Sequence, residues 1–163
     1  MALLGWLIRR RFLFQIGMLS IVEEVTMAYW LLKTEPSTYS YADLERDKHT
    51  VWEGVRNNQA LQNLRRIQKG DLAFIYHTGD EKSIVGIALV VSDPYPDRNL
   101  KDPKRVVVDL KPKQRLKNSI PLTKIKAHPK LKAFDLVRNS RLSVMTVTEE
   151  EWKILMGMAG EKE

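Results

Sequence analysis

Cysteine is missing from all 163 residues, and its absence excludes a disulfide framework, a thiolate nucleophile and any zinc or iron–sulfur centre built on sulfur. Histidine is nearly as scarce. His49, His77 and His128 stand on separate segments, so no two have the spacing of metal ligands on one helix, and each reads as a surface or hydrogen-bonded structural residue. The chain also lacks a Gly-x-Ser-x-Gly elbow and a Gly-x-x-x-x-Gly-Lys phosphate loop, the local signatures that expose a nucleophile or cradle phosphates. The apolar stretch from Phe12 to Val22 is broken by Gln15, Gly17 and Ser20 and is about half of the roughly 20 residues that cross a bilayer. No catalytic constellation, metal, cofactor or membrane span is therefore expected.

What is present is enough for a core. Hydrophobic residues make up 44% of the chain against 29% charged, outside the regime of disordered sequences, and the length suits one domain. Lys and Arg number 27 against 20 Asp and Glu, a net charge of +7 with a pI near 9.6. Such a surface favours polyanions, nucleic acid above all. The cysteine-free composition is compatible with a reducing, cytoplasmic setting.

The first 26 residues differ from the rest. Ala2 to Ile8 and Phe12 to Val22 flank Arg9-Arg10-Arg11; a secretory leader fits poorly because Glu23-Glu24 precede any cleavage site. Glu23-Glu24-Val25 can be written in codons that spell a purine-rich ribosome-binding site just ahead of Met27. The expectation is that residues 1–26 are an extension ahead of the true start, disordered or an isolated amphipathic helix, and that residues 27–163 are the domain.

From Met27 the pattern predicts several short strands with small helices between them. Strands are expected at Tyr29 to Lys33, Leu72 to His77, Ser83 to Val91, Arg105 to Leu110 (stopped by Pro112) and Leu142 to Met145, with Val51 to Val55 a strand-like link and Gln114 to Lys117 a short edge strand. Ser40 with Asp43 opens one helix, Asn57 or Asn58 caps a second carrying Ala60, Leu61, Leu64 and Ile67, Pro129 to Phe134 forms a third, and Thr148 caps a last one holding Trp152, Leu155 and Met156. Leu122 to Ile125 reads as a turn and Asp93 to Asp97 as a rigid loop. The fold class is α+β, a compact curved sheet or barrel.

Two features bear on function. Lys33 and Glu35 lie two apart, on one face of an extended strand, as an ion pair or as an acid and base. Trp52-Glu53-Gly54-Val55-Arg56-Asn57 places a flat ring, a permissive glycine and an arginine ahead of a helix N-terminus, whose amides can receive an anion or a polar base edge. Stacking, amide donors and a cation are what recognition of an extruded base requires; the competing reading is that Trp30 and Trp52 fill the core.

Taken in order, Tyr29-Trp30-Leu31-Leu32-Lys33-Thr34-Glu35-Pro36-Ser37, Trp52-Glu53-Gly54-Val55-Arg56-Asn57-Asn58-Gln59-Ala60, Lys69-Gly70-Asp71 leading to Tyr76-His77, Ile84-Val85-Gly86-Ile87-Ala88, Tyr95-Pro96-Asp97 and Ser140-Arg141-Leu142-Ser143-Val144 ahead of Trp152 resemble the EVE domain family. The resemblance runs from about Met27 to about Met156. It implies a PUA-like curved β-barrel with flanking short helices, related to the YTH readers of methylated RNA. It further implies a non-catalytic module, bacterial and monomeric, that takes a modified, flipped base of DNA or RNA into an aromatic pocket with a basic rim. By the same resemblance Trp30 and Trp52 would be stacking walls and Lys33 and Glu35 rim residues. Val55, Arg56 and Asn57 would supply backbone and amide contacts, and Tyr76, His77, Arg141 and Ser143 would line or approach the opening. An enzyme acting on a modified base through Lys33, Glu35 or His77, or a small-ligand or protein adaptor, is the alternative. Phosphates are expected at Arg56, Arg65, Arg66, Arg141 and the Lys111 to Lys117 run, unless that run only protects a sheet edge.

Overall fold

Continuous apolar runs around Phe74 and Ile87 seed a sheet whose two central strands are almost wholly buried. The computed structural model describes the backbone of residues 10–16 and 19–162 and side chains from Thr26 onward. In chain order the elements are β1 (Arg10–Ile16), β2 (Leu19–Val25), β3 (Tyr29–Thr34), α1 (Tyr41–Asp47), β4 (Thr50–Trp52), α2 (Asn58–Leu64), β5 (Leu72–His77), β6 (Ser83–Val90), β7 (Tyr95–Pro96), β8 (Val106–Pro121), α3 (Leu122–Ala127), a 3-10 turn (Pro129–Leu131), α4 (Asp135–Arg138), β9 (Val144–Val147) and α5 (Glu149–Met158). Strands run in the order β4-β8-β6-β5-β3-β9, with β7 on β8. β3 and β5 are parallel and the other pairs antiparallel. The sheet curls into a half-barrel. α2 packs on both β8 and β9, and Asn63 Nδ2 donates to the Val144 carbonyl at 2.8 Å, so this helix spans the gap between the two sides of the curl.

Each end of the sheet is held by specific chemistry. α1 and α5 begin with reciprocal capping boxes, Ser40 with Asp43 and Thr148 with Glu151, which satisfy amide donors that a helix start leaves open. Trp152 of α5 stacks on Tyr29 and Phe74, with ring centroids 4.4 and 3.9 Å apart. Buried Asp71 clamps the start of β3 to the turn before β5: its carboxylate accepts from the Ala28 amide (3.1 Å), the Trp30 indole N–H (2.8 Å) and the Gln68 amide (2.9 Å).

Several sequence expectations need correction. Pro112 does not stop its strand; β8 runs through to Pro121, because Pro112 sits at a register shift where the missing N–H breaks no regular ladder. The expected edge strand is thus the middle of β8, paired with β6 and, among the described residues, without a strand on its other side beyond Leu110. α2 ends at Leu64, and bonds from the Arg66 and Ile67 amides to the Asn63 and Leu64 carbonyls tighten the chain, carrying Ile67 into the core as helical spacing would. Leu122–Ala127 is a helix rather than a turn, α4 has no predicted counterpart, and β9 starts at Val144 rather than Leu142. Tyr95–Pro96, expected as loop, pairs with Val106 and Val107.

Arg10–Ile16 and Leu19–Val25 pair as an antiparallel hairpin in a sheet of their own, where a disordered segment or isolated helix was expected; the Ala2 to Ile8 run lies outside the described residues. We propose that this segment contributes nothing to the domain. A chain beginning at Met27 should melt within a few degrees of the full chain, since among the described residues the hairpin shares no ladder with the seven-stranded sheet; a larger fall in the thermal midpoint would make it structural.

Candidate nucleic-acid interface

Strand alternation and pairing register decide which candidate residues can meet. Trp30 pairs with Ala73, Ala73 with Ala88 and Ala88 with Pro112; along β8 this face continues to Leu110, which pairs with Thr50, two residues before Trp52. Trp30 and Trp52 therefore rise from one face of the curled sheet. Lys33 pairs with Tyr76 and points to the other face, the one that Trp152 covers lower down.

The two tryptophans differ in what holds them. Trp30 is 2% exposed, its indole N–H is taken by Asp71, and the Arg66 guanidinium lies 5.9 Å from its ring centroid. Trp52 is 8% exposed. It packs in the core cluster, and among the described residues its indole nitrogen has no hydrogen-bond partner. Gly54 just beyond it has φ +81°, and a Cβ there would meet nothing within 4 Å. The glycine is required by the left-handed turn and opens on free space. Val55 is buried and its carbonyl accepts from Arg105 at 3.3 Å. Arg56 and Asn57 are exposed, and Asn57 Oδ1 accepts from the Ala60 amide, capping α2.

A second group gathers where β3 and β5 end. The Lys33 ammonium donates to the Ser140 carbonyl at 3.0 Å and lies 5.8 Å from the Tyr76 ring centroid; burial lowers its pKa from the usual lysine value. The Lys33 amide donates to the Ser143 carbonyl at 2.9 Å, which places half-buried Ser143 and exposed Arg141 beside it. Glu35 lies past the end of β3, in a turn where its carbonyl accepts from the Thr38 and Tyr39 amides. Its carboxylate accepts from Thr78 Oγ1 at 2.9 Å and Ser37 Oγ at 3.2 Å, and the Thr78 bond foremost holds its pKa below the ordinary glutamate value. Lys33 and Glu35 thus do not share a strand face, and among the described residues they form no ion pair.

His77 is a brace. Its Nε2 accepts from the Tyr41 amide at 3.0 Å, which requires the proton on Nδ1, 2.7 Å from Glu81 Oε2. His49 contacts Asp109 and His128 Nδ1 accepts from the Lys130 amide, so each histidine has a hydrogen-bond partner within the fold. Tyr41, anchored through its hydroxyl to the Ile87 carbonyl at 2.7 Å, has its pKa pushed up to about 12 by burial. Asp71, Asn63 and Tyr41 do work that the sequence reading did not assign; the only signal for Asp71 was its place in the Lys69-Gly70-Asp71 block.

With this geometry in view, the EVE domain family model matches residues 28–158. The chain belongs to the EVE domain family. It is 34% identical to chicken thymocyte nuclear protein 1 over 85% of this chain and 72% of that protein. The NMR structure of a Rhodopseudomonas palustris protein, 41% identical, superimposes with a TM-score of 0.79, covering 82% of this chain and 94% of the other. The crystal structure of human THYN1 in complex with 5-methylcytosine-containing DNA, 29% identical, gives a TM-score of 0.77 over 83% of this chain and 99% of that one. The EVE match begins one residue after Met27, and the curled sheet with short helices is the architecture that the resemblance implied. Among the described residues, no helix of this EVE protein is long and apolar enough to cross a membrane.

Proposed function

We propose that this EVE protein is a non-catalytic reader of a modified base in DNA, with a modified cytosine the first candidate. The observation that carries the reading is the human relative's structure with 5-methylcytosine-containing DNA, joined to a surface of net charge +7. The reading extends to a flipped base stacking near Trp52, beside Gly54, where a Cβ would meet nothing within 4 Å. Arg56 and the Nδ2 group of Asn57 would supply polar contacts on that side; Lys33, Tyr76, Arg141 and Ser143 would form the rim where β3 and β5 end. Burial of one methyl group is worth only about 0.8 kcal/mol, so a strong preference must also come from rejecting the wrong hydrogen-bond pattern. On this reading the protein works as a monomer in the cytoplasm of a bacterium.

The test is a binding screen over DNA and RNA oligonucleotides that each carry one modified base. Preference for a modified DNA strand supports the reading, whereas turnover of a modified nucleoside would favour an enzyme and no nucleic-acid affinity at all would favour an adaptor. Trp52→Phe should weaken binding of the modified strand by about 1–2 kcal/mol through lost stacking area and the lost N–H, with little change in melting. Trp30→Phe should cost about 1–3 kcal/mol of stability, because it deprives buried Asp71 of a donor. If Trp52→Phe instead melts much earlier and keeps the modified-to-unmodified affinity ratio, Trp52 belongs to the core alone.

A further inference from the structure

The positive charge is unevenly placed. Between Leu122 and Arg141 the chain holds Lys124, Lys126, Lys130, Lys132, Arg138 and Arg141 against Asp135 alone. The apolar residues interleaved with them, Ile125, Leu131, Phe134 and Leu136, are buried, so this stretch is pinned to the body while all six cations are exposed. α3 packs on the 3-10 turn and on α4, and α4 packs on β9. Ser140, just past α4, accepts the Lys33 ammonium. The cationic stretch therefore forms an exposed wall that follows the chain from α3 to the Lys33–Ser140 bond, where β3 and β5 end. At its far end the Leu122 amide donates to the Lys82 carbonyl at 2.8 Å, and Lys82 and Lys126 line an open groove of about 310 Å³ with Asp80, Glu81, Pro121, Leu122 and Thr123. Of the carboxylates nearby, Glu81 is engaged by His77 and Glu150 reaches Lys130 only at 4.0 Å. The β8 run is a poorer track: Arg115 is bound by Glu45 at 2.6 Å and lies over Tyr41.

We propose that the wall from α3 to α4, through Lys124, Lys126, Lys130, Lys132 and Arg138, is the phosphate track that seats duplex DNA beside the Lys33–Ser143 mouth. The proposal rests on the modified-base reading for its purpose, but the charge geometry stands without it. Counterion release gives each lost phosphate contact a change of about 0.9 in the slope of log K against log salt.

The experiment uses the full chain and fluorescence anisotropy from 50 to 200 mM NaCl, with one duplex carrying a single 5-methylcytosine and its unmodified twin. The variant Lys124→Gln/Lys126→Gln/Lys130→Gln/Lys132→Gln should flatten the slope by roughly 2 to 4, weaken both duplexes by the same factor, and leave their affinity ratio and the melting midpoint unchanged. The pair Lys124→Gln/Lys132→Gln should give about half that flattening. Lys111→Gln/Lys113→Gln/Lys117→Gln, on β8, should leave the slope as it was. A quadruple variant with the parent slope, or a flattened slope in the β8 variant instead, overturns the track while leaving the base reading intact. Equal affinity of the parent for both duplexes, with the slope still flattened in the quadruple variant, supports the track and overturns the base reading. Failure of the parent to bind either duplex overturns both.

Discussion

Gly86→Ala is expected to destabilise the protein by about 3 kcal/mol, the upper part of the range for overpacking a tight core. A Cβ on Gly86 would lie 2.5 Å from two carbons of the Tyr41 ring. That ring cannot swing aside cheaply, because its hydroxyl is anchored to the Ile87 carbonyl and its backbone amide to His77. Relief therefore means lifting α1 off the sheet. Denaturant unfolding measures the loss, and Gly86→Ala combined with Tyr41→Leu should recover part of it, since the two sites share one contact. A Gly86→Ala protein as stable as the parent would show that α1 is seated loosely.

Asp71→Ala should cost about 3–5 kcal/mol. The carboxylate satisfies the Ala28 amide, the Trp30 indole and the Gln68 amide at once, and each buried donor left unpaired costs about 1–3 kcal/mol, less where water can enter. Ala28 and Gln68 are partly exposed in these bonds whereas Trp30 is not, so the indole carries the largest share. Asp71→Asn, keeping one carbonyl oxygen, should recover part of the loss. Urea unfolding of the two variants decides it; an Asp71→Ala midpoint within error of the parent would mean that the donors find other acceptors and the clamp is dispensable.

Local chemistry was legible where it is self-contained. The caps at Ser40, Asn57 and Thr148 are visible in sequence because a side chain three residues from its backbone partner needs no distant element, and the hairpin of β5 and β6 follows from two apolar runs flanking a turn. Pro112 misled because a proline ends a regular ladder, and only the opposing strand reveals that the ladder is already broken there. Lys33 and Glu35 misled for a related reason: their spacing implies one face only if the strand continues, and the turn after Thr34 ends it.

By itself the sequence determined the family, the α+β class, the net positive charge and the residue types gathered around Trp52. All of these depend on composition, on local spacing or on an ordered set of motifs. Only the tertiary structure decided the parallel pairing of β3 with β5, the shared face of Trp30 and Trp52, the opposite face of Lys33 and Tyr76, and the roles of Asp71, His77 and Asn63. The bonds of Asp71 with Trp30, of His77 with Tyr41 and of Asn63 with Val144 join residues 36 to 81 positions apart in the chain. Burial and hydrogen-bond satisfaction across such distances are properties of the closed sheet, and no stretch of sequence carries them alone.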